Sequence, residues 1–211
     1  DGLRTCVHGS MQQFEILPGL PATGPMHVSI TSNGESFYSE GYVVRFFLED
    51  GSDWVANFQF GLTSFKAVYD FPEHKRVLVI AGGEAYLMAP SRTQASYTFG
   101  GSLEGTVLTA NGSLVLHSST DIVLLERPTG ILWRGERISW DGFRDLALDG
   151  DVLRGESWSP LHGVKNEWTA FELDLRTRIL KGGSYPDARR LNPGMADFLA
   201  VTPTVSSLWD L

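Results

Sequence analysis

Lys66-Ala67-Val68-Tyr69-Asp70-Phe71-Pro72-Glu73-His74-Lys75-Arg76-Val77-Leu78-Val79-Ile80-Ala81 reads as strand, turn, strand. Its two flanks, 66–71 and 76–81, are rich in β-branched and aromatic residues, which suit a pleated, half-buried surface. Pro72-Glu73 breaks the run, because proline fixes its own φ and donates no backbone hydrogen bond. Gly82-Gly83 follows with neither the helix nor the Lys-Ser/Thr pair of a phosphate loop, so it reads as a tight turn. Residues 84–89 and 95–99 then supply a third and a fourth strand.

Working outward, the same pattern recurs. Turn signals stand at Asn33-Gly34, Pro72-Glu73, Asn111-Gly112 and Asp149-Gly150, and their second residues are 39, 39 and 38 positions apart. Asn-Gly and Asp-Gly suit two-residue hairpins because these residues tolerate positive φ. The strand before each turn spans 27–31, 66–71, 105–110 and 143–149, and the strand after it 35–39, 76–81, 113–117 and 152–156. Third strands fall at 42–48, 84–89, 121–126 and 168–173, and fourth strands at 53–58, 95–99, 131–134 and 179–181. The expectation is an all-β fold of four repeats of about 39 residues, each a four-stranded antiparallel meander, β-propeller-like. The alternative is a two-sheet β-sandwich or a wide barrel. Trp140-Asp141 occurs once, between repeats, so the WD-repeat signature is not met. Three segments are expected: 1–26, a tail and a Pro/Gly-rich strap; 27–184, the repeat-built β domain; and 185–211, a tail packing on it.

The chain has 211 residues, 42% of them hydrophobic, with a net charge of -8. That is enough apolar material for one well-buried core or one repeat array. The acidic balance argues against nucleic acid, whose binding begins with neutralisation of phosphates by Lys and Arg. No apolar run approaches the roughly 20 residues that span a bilayer. Cys6 is the only cysteine, so no disulfide can form within the chain, which points to a reducing, cytoplasmic setting. Asp1-Gly2-Leu3-Arg4 lacks the apolar core of a signal peptide. His8-Gly9-Ser10-Met11 resembles a cloning remnant ahead of a start at Met11, so residues 1–10 carry no functional expectation.

The fourth repeat breaks the pattern with an insertion, Ser157-Trp158-Ser159-Pro160-Leu161-His162-Gly163-Val164-Lys165-Asn166. Insertions in an array land on one face, often the binding face. Trp158, His162, Lys165 and Asn166 are the candidate binding residues, since they put an aromatic surface, an imidazole, a cation and an amide on one loop. No catalytic residue and no metal ligand is assigned. The five histidines show no H-x-H or H-E-x-x-H spacing, and no G-x-S-x-G elbow is present. Two acidic clusters, Glu49/Asp50/Asp53 and Asp141/Asp145/Asp149/Asp151, fit no EF-hand spacing, and Asp149-Gly150-Asp151 reads as a hairpin corner. The six tryptophans are read mainly as packing residues, with Trp54 and Trp133 in corresponding fourth strands. The expected function is a non-enzymatic binding or scaffold module of unknown ligand and cofactor, with a protein or small-molecule partner. The alternative is a hydrolase or lyase with a carboxylate/histidine site at the axis of the repeats.

Overall fold

A computed structural model describes residues 13–160, 167–185 and 207–211. The described chain is all-β: sixteen strands form four sheets of four. The strands are β1 (Phe14–Ile16), β2 (Val28–Ile30), β3 (Tyr42–Phe47), β4 (Asp53–Phe58), β5 (Ala67–Phe71), β6 (Arg76–Ala81), β7 (Glu84–Met88) and β8 (Ala95–Gly100). They continue with β9 (Gly105–Leu108), β10 (Leu114–His117), β11 (Ile122–Leu125), β12 (Leu132–Arg134), β13 (Phe143–Asp149), β14 (Val152–Trp158), β15 (Trp168–Asp174) and β16 (Leu180–Gly182).

Sheets 2, 3 and 4 run β5-β6-β7-β8, β9-β10-β11-β12 and β13-β14-β15-β16, so each is a meander in chain order. These are the repeats that the sequence period describes. Among the described residues the strands divide over four open sheets rather than the two of a sandwich or the one of a closed barrel. Gly82 and Gly83 take φ of 57° and 87°, the two successive left-handed residues that a two-residue hairpin needs.

Sheet 1 departs from the expected meander. Its order is β1-β3-β4-β2, and β2 runs parallel to β4. Residues 35–39, expected as a strand, are irregular. The first strand of this repeat comes instead from the Pro/Gly-rich strap: Phe14, Glu15 and Ile16 pair with Phe46, Arg45 and Val44. The chain then leaves for residues 17–41, lays down β2 at the far edge, and returns as β3. Asn33-Gly34 therefore turns within this excursion and is not the counterpart of Asn111-Gly112. Trp54 and Trp133 are not equivalent either: Trp54 lies on an interior strand of sheet 1 and Trp133 on the edge strand of sheet 3.

The chain divides into two compact units, Asp1–Gly61 with Lys66–Phe99, and Leu62–Phe65 with Gly100–Leu211. In the first, sheets 1 and 2 bury one face each in a shared core of Val44, Phe46, Ala56, Phe58, Val77, Val79, Tyr86 and Met88. Tyr86 is 1% exposed, and its hydroxyl donates to the Gln59 carbonyl at 2.9 Å, which satisfies the polar tip of a buried ring. The Phe58 and Tyr86 rings meet at 5.2 Å across the two sheets. In the second unit, Val115, Ile122 and Leu124 of sheet 3 pack with Leu153, Phe171 and Leu173 of sheet 4. Burying one such side chain contributes roughly 1.5–3 kcal/mol.

Asn57 ties the excursion to sheet 1. It is fully buried; its amide donates to the Ser39 carbonyl at 3.0 Å, and its Oδ1 accepts from the Gly41 N–H at 2.8 Å. Asn57→Ala leaves both backbone groups without that partner and should destabilise the chain by about 1–3 kcal/mol in urea unfolding. A loss within error of zero would mean that water replaces the side chain.

Glu84 follows the Gly82-Gly83 turn, and burial raises its carboxyl above the ordinary value of 4.5. The folded protein thus holds this proton more tightly than the unfolded chain. The associated stability is complete below the unfolded value and is lost as pH rises through the folded one. Glu84→Gln should raise the urea midpoint at pH 7 and leave it nearly unchanged at pH 4. An equal gain at both pH values would contradict desolvation as the cause.

Candidate functional site: the aromatic end of sheet 4

Sheet 4 alternates cleanly. Phe143, Leu146, Leu148, Leu153, Phe171, Leu173 and Leu180 face the core, and Arg144, Ala147, Arg154, Glu156, Ala170, Glu172 and Lys181 take the other face. One irregularity sets this register. The pairing slips between Arg144 and Ala147, and Asp145 at the slip has a φ of 54°. This is a β-bulge, one extra residue that re-aims the strand. Leu146 then lies across Gly155, where a Cβ would stand 2.6 Å from Leu146 Cδ2. Beyond the bulge Arg144 is opposite Glu156 and forms an ion pair with it.

The insertion leaves this sheet from Trp158 and returns at Trp168, and these two residues are register partners. The backbone of Trp158 is held from several sides. Its N–H donates to the Gly142 carbonyl and to Ser139 Oγ, both at 3.1 Å. Its carbonyl accepts from the Trp140 N–H at 3.2 Å and from the Ser184 hydroxyl. Ser157 Oγ donates to the Thr169 carbonyl at 3.1 Å and accepts from the Ser184 N–H at 2.8 Å. Ser139 and Ser157 are fully buried. Small hydroxylated residues recur here because only a short donor-acceptor side chain can tie three chain segments together without filling the space between them.

On this frame sits a group of aromatic and guanidinium planes. Trp140 and Tyr185 meet at 4.7 Å. The Arg137 guanidinium lies 4.4 Å from the Tyr185 ring centre and 5.6 Å from that of Trp140. It is fixed there by donating from Nε to the Ser139 carbonyl at 3.0 Å and from Nη2 to the Trp140 carbonyl at 2.8 Å. Arg144 stacks over Trp168 at 4.5 Å. Cation–π contacts of this kind contribute about 0.5–1 kcal/mol each at exposed sites. The indole N–H of Trp140 is buried with no hydrogen-bond partner among the described residues. Such a donor is costly to leave unmatched.

Of the candidate binding residues, Trp158 is half-buried at the end of β14. His162, Lys165 and Asn166 lie outside the described residues. Arg137, Arg144 and Tyr185 were not singled out from the sequence. Arg137 and Tyr185 are 48 positions apart in the chain, and backbone bonds from Ser184 and Tyr185 to the Ile138 carbonyl help to bring them together.

The acidic clusters do not converge. Glu49 pairs with Lys75, Asp50 accepts from Ser52, and Asp53 faces Arg45. Lys75 holds the Glu49 carboxyl below its ordinary value, and Ser52 does the same for Asp50. Asp149 pairs with Arg154, and Asp145 lies near Arg144. Among the described residues no three His, Cys, Asp or Glu side chains are grouped as metal ligands, and no helix is long and apolar enough to cross a membrane. His74 belongs to the polar turn after β5, and His117 ends β10 against Phe143 at 6.1 Å. A cleft of about 400 Å³ opens among Thr109, Ser113, Leu124, Glu126, Asp151 and Leu175 in the second unit.

No protein-family model matches the chain, and no curated protein is significantly similar to it.

Ser139→Ala removes the hydroxyl that joins Gly142 and Trp158. It should cost about 1–3 kcal/mol and alter the near-UV circular dichroism of the tryptophans while leaving the far-UV spectrum in place. An unchanged near-UV spectrum would show that the frame does not depend on this serine.

Proposed function

We propose that the chain is a non-enzymatic binding module, and that its contact surface is the aromatic and arginine end of sheet 4. One observation carries this reading: the Trp140–Tyr185–Arg137 group sets two packed aromatic rings beside an exposed guanidinium. A surface built this way favours a partner with a flat or apolar body and an acceptor oxygen for the Arg137 guanidinium, whether a protein side chain or a small molecule. Aromatic and arginine side chains are the types that most often anchor such contacts. The stacking is pre-arranged, because Arg137 is tied by two backbone carbonyls, so little side-chain freedom is lost on contact. Trp168 and Arg144 form a second stacked pair on the outer face of sheet 4.

The test is quantitative affinity capture from an extract of the source organism. Wild-type protein is compared with the Arg137→Ala/Tyr185→Ala double variant and with Leu108→Ser, which alters an exposed residue of sheet 3. A partner that uses this surface should fall by about tenfold or more with the double variant and be retained by Leu108→Ser. Identical captured sets for all three would remove the basis of the reading.

A further inference from the structure

Another cleft lies in the first unit. It has a volume of about 600 Å³ and opens between residues 28–34, which hold β2 and the turn after it, and residues 93–98, which lead into and form most of β8. Both strands are edges, β2 of sheet 1 and β8 of sheet 2. Sites for small ligands run from about 300 to 1,000 Å³, so there is room here for a molecule of one or two rings.

The lining is polar and uncharged. Charged residues make up 20% of the chain, yet none of the described residues around this cleft is charged. Hydroxyl groups take their place. Ser29 and Thr31 contribute them from one wall, and Thr93, Ser96 and Thr98 from the other, beside the amide of Gln94. On the core side, Ile30 belongs to the buried cluster of the unit, and Val28 and Ala95 pack against it. The cleft therefore has an apolar base whose position is set by the fold.

The two walls differ in hydrogen-bond polarity. The Ser29 hydroxyl donates to the Phe37 carbonyl at 3.2 Å, and the Thr31 hydroxyl donates to the Glu35 carbonyl at 2.8 Å. Their protons are committed, so a further partner meets these oxygens as acceptors. The hydroxyls of Thr93 and Thr98 and the Gln94 amide on the opposite wall can donate as well as accept.

We propose that the cleft between β2 and β8 is a binding site for an uncharged saccharide. Sugar hydroxyls both donate and accept, which matches the two walls, and the C–H face of a sugar ring packs against the apolar base. A sugar hydroxyl also reproduces the hydrogen bonds of the water that it displaces. A phosphate, carboxylate or ammonium ligand would give up its hydration for a cleft that offers no counter-charge, which is costly. The site does not depend on the reading of sheet 4.

The test is a titration of the isotope-labelled full chain, followed by two-dimensional NMR. The probes are glucose, maltose, cellobiose, lactose and N-acetylglucosamine, with a glucose phosphate, glucuronate and glucosamine as charged counterparts. At least one neutral sugar should shift the amides of residues 29–32 and 93–98 with a Kd of about 0.1–10 mM. The charged counterparts should bind at least about tenfold more weakly. Gln94→Ala/Thr98→Val removes donors from one wall and should weaken the bound sugar by about tenfold, whereas Leu108→Ser on sheet 3 should leave its Kd unchanged. The proposal is overturned if no neutral sugar moves these amides at about 50 mM, or if the shifts fall on other residues. It is equally overturned if charged and neutral sugars bind alike, or if the folded double variant binds as tightly as the wild type. The comparison of neutral with charged sugars is made on the wild type, so it decides even where the double variant does not fold.

Discussion

Face-to-face burial of neighbouring sheets is the constraint on which the rest depends. Each sheet has only four strands of three to seven residues, and a sheet that is apolar on one face must bury that face against another layer. Sheet 1 buries Phe46 and Phe58 against Tyr86 and Met88 of sheet 2, and sheet 3 buries Val115 and Leu124 against Phe171 and Leu173 of sheet 4. A one-residue slip in any of these strands would turn its apolar set to the other face. The registers, the turns and the tied loop ends can all be understood as serving that alternation. Sheet 4 shows the result most clearly, with leucines and phenylalanines on one side and arginines, glutamates and a lysine on the other.

Much of this was legible in the residues. Sheets 2, 3 and 4 appear where Pro72-Glu73, Asn111-Gly112 and Asp149-Gly150 place them, because a tight turn between two apolar runs leaves the chain little choice but to pair with itself. Sheet 1 was not legible. Its turn at Asn33-Gly34 keeps the spacing of the others, yet the strand that should follow it is absent, and a parallel edge strand takes a place that antiparallel logic never assigns. Periodicity detects hairpins; it cannot detect an edge supplied from a distant, proline-interrupted strap whose three paired residues, Phe14–Ile16, are too few to show alternation.

The candidate site was legible only in part. Trp158 and its insertion mark the right end of the right sheet, but its aromatic ring is not the centre of the arrangement. Counting back from the Asp149-Gly150 turn would place Asp145, not Arg144, opposite Glu156. The bulge at Asp145 shifts the count by one, and no residue type announces it. Arg137 and Tyr185 are joined through backbone bonds at Ile138, which carry no signature in side-chain pattern. Sites assembled by main-chain hydrogen bonds between irregular segments are therefore the part that a single sequence conveys least, while hairpin-built scaffolds are the part that it displays best.

The strap-derived edge strand of sheet 1, β1, has a kinetic meaning. In sheet 2 the β5–β6 pairs join residues 5 to 13 positions apart, as Phe71↔Arg76 and Ala67↔Ile80 show. In sheet 1 the β1–β3 pairs join residues 28 to 32 apart, as Ile16↔Val44 and Phe14↔Phe46 show. The entropy of closing a loop is lost before its contacts form, and it grows with loop length. The three meanders can thus assemble from local encounters, each hairpin templating the next. Sheet 1 has to wait for its remote edge. The segment that leaves the ribosome first among the described strands is then among the last to find its partner, while the β3–β4 hairpin that carries Phe46 and Phe58 can form without it.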